Sequence, residues 1–139
     1  MSANSRNESG NSAMHYAARE GHLEIAELLI KNGANANIEN EEGNTALHIA
    51  AKFHYMHVVE GMVTLGMDVN HTNGKGETPL HTAVMHNKQE AMEALLMNGA
   101  NLALKDKSGK TPEAYARDPD LARLIRAYSE LPVAMQSGW

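Results

Sequence analysis

Residues 76–84 read GETPLHTAV and residues 43–51 read GNTALHIAA, nearly the same phrase 33 residues apart. The interval extends in both directions. Gly10, Gly43, Gly76 and Gly109 keep it, as do Ser12, Thr45, Thr78 and Thr111, and His15, His48 and His81. A second glycine series, Gly33, Gly66 and Gly99, has the same spacing. Copying at a fixed period of this length marks a stack of equivalent units, none of which can bury its apolar face alone. An active site, which is built once, has no use for it.

One unit can be derived from residues 40–72. Asn40-Glu41-Glu42-Gly43 is a turn signature, with Gly43 where a positive φ is needed. Thr45 is placed to cap a short helix, its hydroxyl accepting from a first-turn amide. In the next unit Thr78 is followed by Pro79, whose missing N–H costs nothing at the first helical position. Leu47, Ile49, Ala50 and Ala51 belong to that first helix, the alanines allowing a neighbouring helix close approach. After a break near His54 and Tyr55, a second helix is expected over Met56 to Thr64, with Val58, Val59, Met62 and Val63 as its apolar members. Gly66 stops it in the left-handed conformation. The unit is turn, helix, loop, helix.

This unit resembles the ankyrin repeat, whose signature is T-P-L-H-x-A within 33 residues. Unit three carries Thr78-Pro79-Leu80-His81, then Leu95-Leu96 and Gly99-Ala100-Asn101; unit one carries His15, Ala17-Ala18, Gly21-His22 and the run Ile25–Ile30. The resemblance implies an all-α solenoid of stacked helix-turn-helix units with β-turn fingers. Its repeats would fall at about 7–39, 40–72, 73–105 and 106–128, after a flexible lead at 1–6 and before a tail at 129–139. That tail holds the only tryptophan, Trp139, and is expected to be loose, with folding back or docking as alternatives. Met1 with its polar lead-in is expected to be a genuine start and the polar fourth unit a genuine end to the stack; whether Trp139 closes the natural chain is open from the sequence.

Departures from the pattern are informative. Unit two has His54 where a glycine normally breaks the helix pair, and Gly61 where a leucine would pack, so its core is expected to be less filled and locally softer. Asn87 stands at the break of unit three. In unit four the first helix carries Glu113 and Arg117 where apolar residues are expected, and Asp118-Pro119 starts the second as cap and first residue. There Leu121, Leu124, Ile125 and Tyr128 are expected on one face and Arg123 and Arg126 outside it, which suits a capping unit.

The chemistry is sparse. Net charge is −5 and the pI near 5.9, against a nucleic-acid binder. There is no cysteine, hence no disulfide or thiolate metal site. No apolar run approaches the roughly 20 residues of a membrane span, and the polar start is no secretory signal; an intracellular place, cytoplasmic or nuclear, is expected. The resemblance implies that His15, His48 and His81 are structural; units about 10 Å apart also keep consecutive copies from sharing one ion. His54 and His57 alone make a weak metal site. There is no nucleophile elbow and no phosphate loop. We expect no enzyme, no metal and no cofactor.

What remains is surface. In ankyrin-type proteins, partners are gripped by the turn tips and the exposed side of the first helices. By repeat position the resemblance points to Tyr16 and Arg19 in unit one, to Glu41, Glu42, Asn44, Ile49, Lys52 and Phe53 in unit two, to Lys75, Glu77, Met85 and His86 in unit three, and to Tyr115 in unit four. Tyr16, Phe53, Met85 and Tyr115 are expected to form an apolar stripe with a charged rim. The expected function is a non-catalytic adaptor, scaffold or regulatory subunit, a monomer or part of a hetero-complex, whose partner is another protein rather than nucleic acid or membrane. The alternative is an inhibitor of the cyclin-dependent-kinase-inhibitor type, which acts by binding a kinase. A third reading concerns modification: Asn37 and Asn70 hold the position that asparagine hydroxylases often modify in this family, with Leu29 and Met62 eight residues before them.

Overall fold

The computed structural model describes residues 2–54 and 56–136; Tyr55, expected at a break, and Trp139, in the tail, lie outside the described residues. Helices come in pairs: α1 (Ala13–Glu20) with α2 (Leu23–Lys31), α3 (Ala46–Phe53) with α4 (Met56–Thr64), and α5 (Pro79–Met85) with α6 (Gln89–Met97). A 3-10 turn, Pro112–Tyr115, precedes α7 (Pro119–Ser129). α1, α3, α5 and the 3-10 turn pack side by side in one row; α2, α4 and α6 form a second row behind it. No extended strand occurs among the described residues, only an isolated bridge between Arg6 and Ser12.

The core is a set of columns running through the stack at the sequence period. Met14, Leu47 and Leu80 form one and Ala17, Ala50 and Ala83 another, all fully buried. Ala26, Val59, Met92 and Ile125 form a third in the rear row. The alanines bring the front-row helices together. Larger side chains fill the space between rows, each fully buried one stabilising the fold by roughly 1.5–3 kcal/mol.

Each finger is built by one side chain. Asn7, Asn40, Asn73 and Asp106 stand 33 apart, and the Oδ1 of each accepts two backbone N–H groups of its own turn, 2.9–3.0 Å away. Neighbouring fingers are then tied by single backbone bonds, Gly74 N–H to the Glu42 carbonyl at 2.9 Å and Lys107 N–H to the Lys75 carbonyl at 3.0 Å. Gly43 has φ 80°, and a Cβ there would sit 2.6 Å from Gly74 N, so both the turn and the close approach demand glycine.

A second amide ladder runs below. Asn4, Asn37 and Asn70 accept from the backbone N–H of Asn35, Asp68 and Asn101 at 2.7–2.9 Å. Asn4 and Asn70 also donate to the carbonyls of Gly33 and Gly99. The lead, read from the sequence as flexible, is thus held in register: Asn4 does what Asn37 does one unit later, and Arg6 donates to the Glu39 carbonyl at 3.0 Å.

The three histidines join units. Each Nδ1 receives the backbone N–H of the helix cap (Ser12, Thr45 or Thr78) at 3.0–3.2 Å and lies 2.9–3.0 Å from the cap hydroxyl. Each Nε2 lies 2.8–2.9 Å from a carbonyl of the following finger, that of Asn44, Glu77 or Lys110. A carbonyl only accepts, so Nε2 carries the proton and Nδ1 does not: the ring is neutral. The hydroxyl cap expected at Thr45 is present as a capping box with His48, as it is at Ser12 with His15 and at Thr78 with His81, where the Thr78 hydroxyl accepts the His81 N–H at 3.3 Å; the imidazole is the closest partner of each hydroxyl. Burial holds the imidazole of His15 below its ordinary pKa and takes that of His48 down to about 4.

Unit two corrects an expectation. The place left by Gly61 is not empty: the Leu23 side chain of unit one fills it, and a Cβ on residue 61 would meet its methyl carbons at 2.6 and 2.7 Å. The break differs as well. Gly21 and Asn87 are left-handed, with φ 73° and 55°, whereas His54 is extended at φ −126° and donates from Nε2 to the Arg19 carbonyl at 2.6 Å.

Unit four has less helix than the sequence suggests. Its first helix shrinks to the 3-10 turn, because Pro119 holds Asp118 extended (φ −80°, ψ 123°) and α7 starts there. Asp118 caps α7 through the Asp120 N–H, as expected. Leu121 and Ile125 are buried and Tyr128 donates to the Leu96 carbonyl at 3.0 Å, but Leu124, expected on that face, is exposed. Beyond α7 the chain curls back, with Gln136 Nε2 donating to the Leu131 carbonyl at 3.0 Å.

Candidate protein-binding surface

Fingers on one side and front-row helices on the other enclose a concavity of about 870 Å3 over units one to three. Twelve of the thirteen residues singled out from the sequence line it. Tyr16, Arg19, Ile49, Lys52, Phe53 and Met85 come from the helices, His86 from the end of α5, and Glu41, Glu42, Asn44, Lys75 and Glu77 from the fingers.

Tyr115 is the exception. It lies outside the concavity, its hydroxyl donates to the Asp106 carboxylate, its ring meets His81 edge-on at 6.1 Å, and Lys110 lies over it at 5.4 Å. That hydrogen bond pushes the phenol up to about 12 and holds the Asp106 carboxyl below its usual range. The apolar stripe therefore loses its fourth member, which is part of the last finger instead. Two others of the thirteen candidate residues do structural work: Asn44 Oδ1 and Glu77 Oε1 both accept from the Asn73 amide, at 2.9 and 3.0 Å.

The apolar centre consists of Tyr16, 60% exposed, Phe53, 42% exposed, and half-buried Ile49 and Met85. A phenylalanine this open is held by charge. Arg19 and Lys52 approach the Phe53 ring to 5.3 and 5.2 Å from its centroid, within the range of cation–π attraction. His86 is depressed below its ordinary pKa, first by desolvation and then by the positive charges of Lys52, Lys88 and Arg117. The helix side of the concavity is basic; on the finger side Glu41 and Glu42 are exposed.

Among the described residues no three His, Asp or Glu side chains are placed so that they could hold a metal ion, and His54 Nε2 is committed to the Arg19 carbonyl. No helix among those residues is long and apolar enough to cross a membrane. Asn37 and Asn70, the hydroxylation candidates, sit in the lower amide ladder away from the concavity, half-buried. What the sequence reading missed are the finger asparagines, although Asn7, Asn40 and Asn73 repeat at the same 33-residue interval.

A family model described as ankyrin repeats (3 copies) matches residues 1–73, and a second, ankyrin repeats (many copies), matches residues 62–116. No curated protein matches the chain at a significant level. The first match alone covers more than half the sequence, and the fold, its period and its fingers agree with it: this chain belongs to the ankyrin-repeat family.

Proposed function

We propose that this protein is a non-catalytic adaptor, scaffold or regulatory subunit that holds a partner protein in the concavity between its fingers and its front-row helices. Ankyrin repeats are generally protein–protein interaction modules. The observation that carries the reading here is the convergence of Tyr16, Ile49, Phe53 and Met85 on one face with charged residues around them. That is the composition of a binding centre with a polar rim. The face is preformed by the histidine and asparagine ladders, so little ordering entropy opposes association. Hydroxylation at Asn37 or Asn70 would modify the scaffold rather than the groove, and a hydroxylase would first have to release the amide bonds that hold these side chains.

Affinity capture from native cells with the wild-type chain and with a Phe53→Ala/Met85→Ala variant tests the proposal. A partner retained by the first and lost by the second supports it; a partner retained equally by both contradicts it. Assaying a captured kinase for loss of activity on addition of the pure chain separates an inhibitor from a scaffold, and the intact mass of the native protein shows whether an oxygen has been added.

A further inference from the structure

The helix side of the concavity carries more than apolar surface. Arg19 and Lys52 occupy equivalent places in the last turns of α1 and α3, and both lie over the Phe53 ring. From unit four, Arg117 donates to the Met85 carbonyl at 2.9 Å, bringing its guanidinium to the end of α5. No ion pair among the described residues engages Arg19, Lys52 or Arg117; the ion pairs found join Lys31 to Glu27, His71 to Glu39 and Asp68, Arg123 to Asp120 and Arg126 to Glu113. Arg19 and Lys52 therefore direct their charge at the Phe53 face and at solvent, with no ion-paired carboxylate to neutralise it, while Arg117 stands beyond the lining of the concavity. The helix dipole favours a cation in a last turn, but it does not ask for an exposed phenylalanine between two of them.

We propose that this wall recognises an acidic protein segment with a bulky apolar anchor, the anchor seated against Ile49, Phe53 and Met85 and the Asp or Glu carboxylates directed to Arg19 and Lys52. The segment's other edge faces Glu41, Glu42 and Lys75 on the fingers, so charges of both signs there complete the match, basic ones opposite the two glutamates. A nucleic acid fits less well, because its phosphates would be presented to both walls at once. The inference rests on the concavity being the binding face.

The test is selection of a displayed random 16-residue peptide library on the folded chain. Selected peptides should be net acidic with at least one large apolar residue, and should bind at least tenfold more weakly to an Arg19→Glu/Lys52→Glu variant whose melting curve matches wild type. Basic or uncharged winners that nevertheless lose binding to Phe53→Ala/Met85→Ala overturn the acidic chemistry and leave the concavity reading standing. Winners indifferent to both variants, or no winners, overturn both. A single-stranded RNA homopolymer binding as tightly as the best peptide also overturns the proposal.

Discussion

Units two and three carry the same fold by different means. Unit three stays nearer the family pattern: Pro79 starts α5, Asn87 takes the left-handed conformation that a glycine normally supplies at the break, and Ala94 is buried at the place equivalent to Gly61. Unit two departs at the two equivalent places, and both departures are answered from unit one, by the Leu23 side chain beside Gly61 and by the Arg19 carbonyl bonded to His54. A departure in a repeat protein is thus not a defect local to its unit. Because stability in such stacks is a sum of unit and interface contributions, unit two has moved part of its own stability into its interface with unit one.

The largest expected effect bears on the Leu23–Gly61 contact. Gly61→Leu should cost about 3 kcal/mol by overpacking, read from the denaturant midpoint. Leu23→Ala opens the site and should cost about 2 kcal/mol. In that background Gly61→Ala should recover about 1 kcal/mol of helix propensity, while in wild type it meets the Leu23 methyls and gains less; additivity of the two changes would show that the residues do not share the space.

Next in size is the buried imidazole of unit two. His48 titrates near 4 when folded, against 6.5 ordinarily. The unfolded chain therefore takes up the proton first as pH falls. The stability this contributes is complete above about pH 6.5 and is lost on the way down to about pH 4, on the order of 3 kcal/mol in all. His48→Gln should flatten the dependence of unfolding free energy on pH across that window, and an unchanged slope would assign it to other groups.

The two breaks offer the smallest and most diagnostic contrast. His54→Gly should lose about 1 kcal/mol with the bond to Arg19. Asn87→Gly should be neutral or stabilising by about 0.5 kcal/mol, because φ 55° suits glycine better. Loss of stability at both positions would mean that the breaks are equivalent after all.

How much of this was legible follows from where each signal lies. The period, the glycine stops and the bounds of α4 were readable because local chemistry sets them: Gly66 is left-handed at φ 100°, and α4 runs from Met56 to Thr64 as expected. The concavity was legible only through the family resemblance, which assigns faces to repeat positions. The filling of the Gly61 site, the capture of Tyr115 by Asp106 and the docking of Asn4 depend on contacts between units. The Asn4 and Asn7 series did repeat in the sequence, but asparagine is common in turns and carries no warning of the bonds it makes. The collapse of the first helix of unit four was foreshadowed by Pro119, which was read as the start of α7 and not also as the end of what precedes it.

The most direct test of the central claim is a calorimetric titration of the captured partner against wild type and Phe53→Ala/Met85→Ala, alongside thermal melts of both chains. The account predicts at least a tenfold weaker affinity, about 1.4 kcal/mol, with a nearly unchanged melting temperature. Equal affinities, or a loss of affinity that only mirrors a loss of fold, would contradict it.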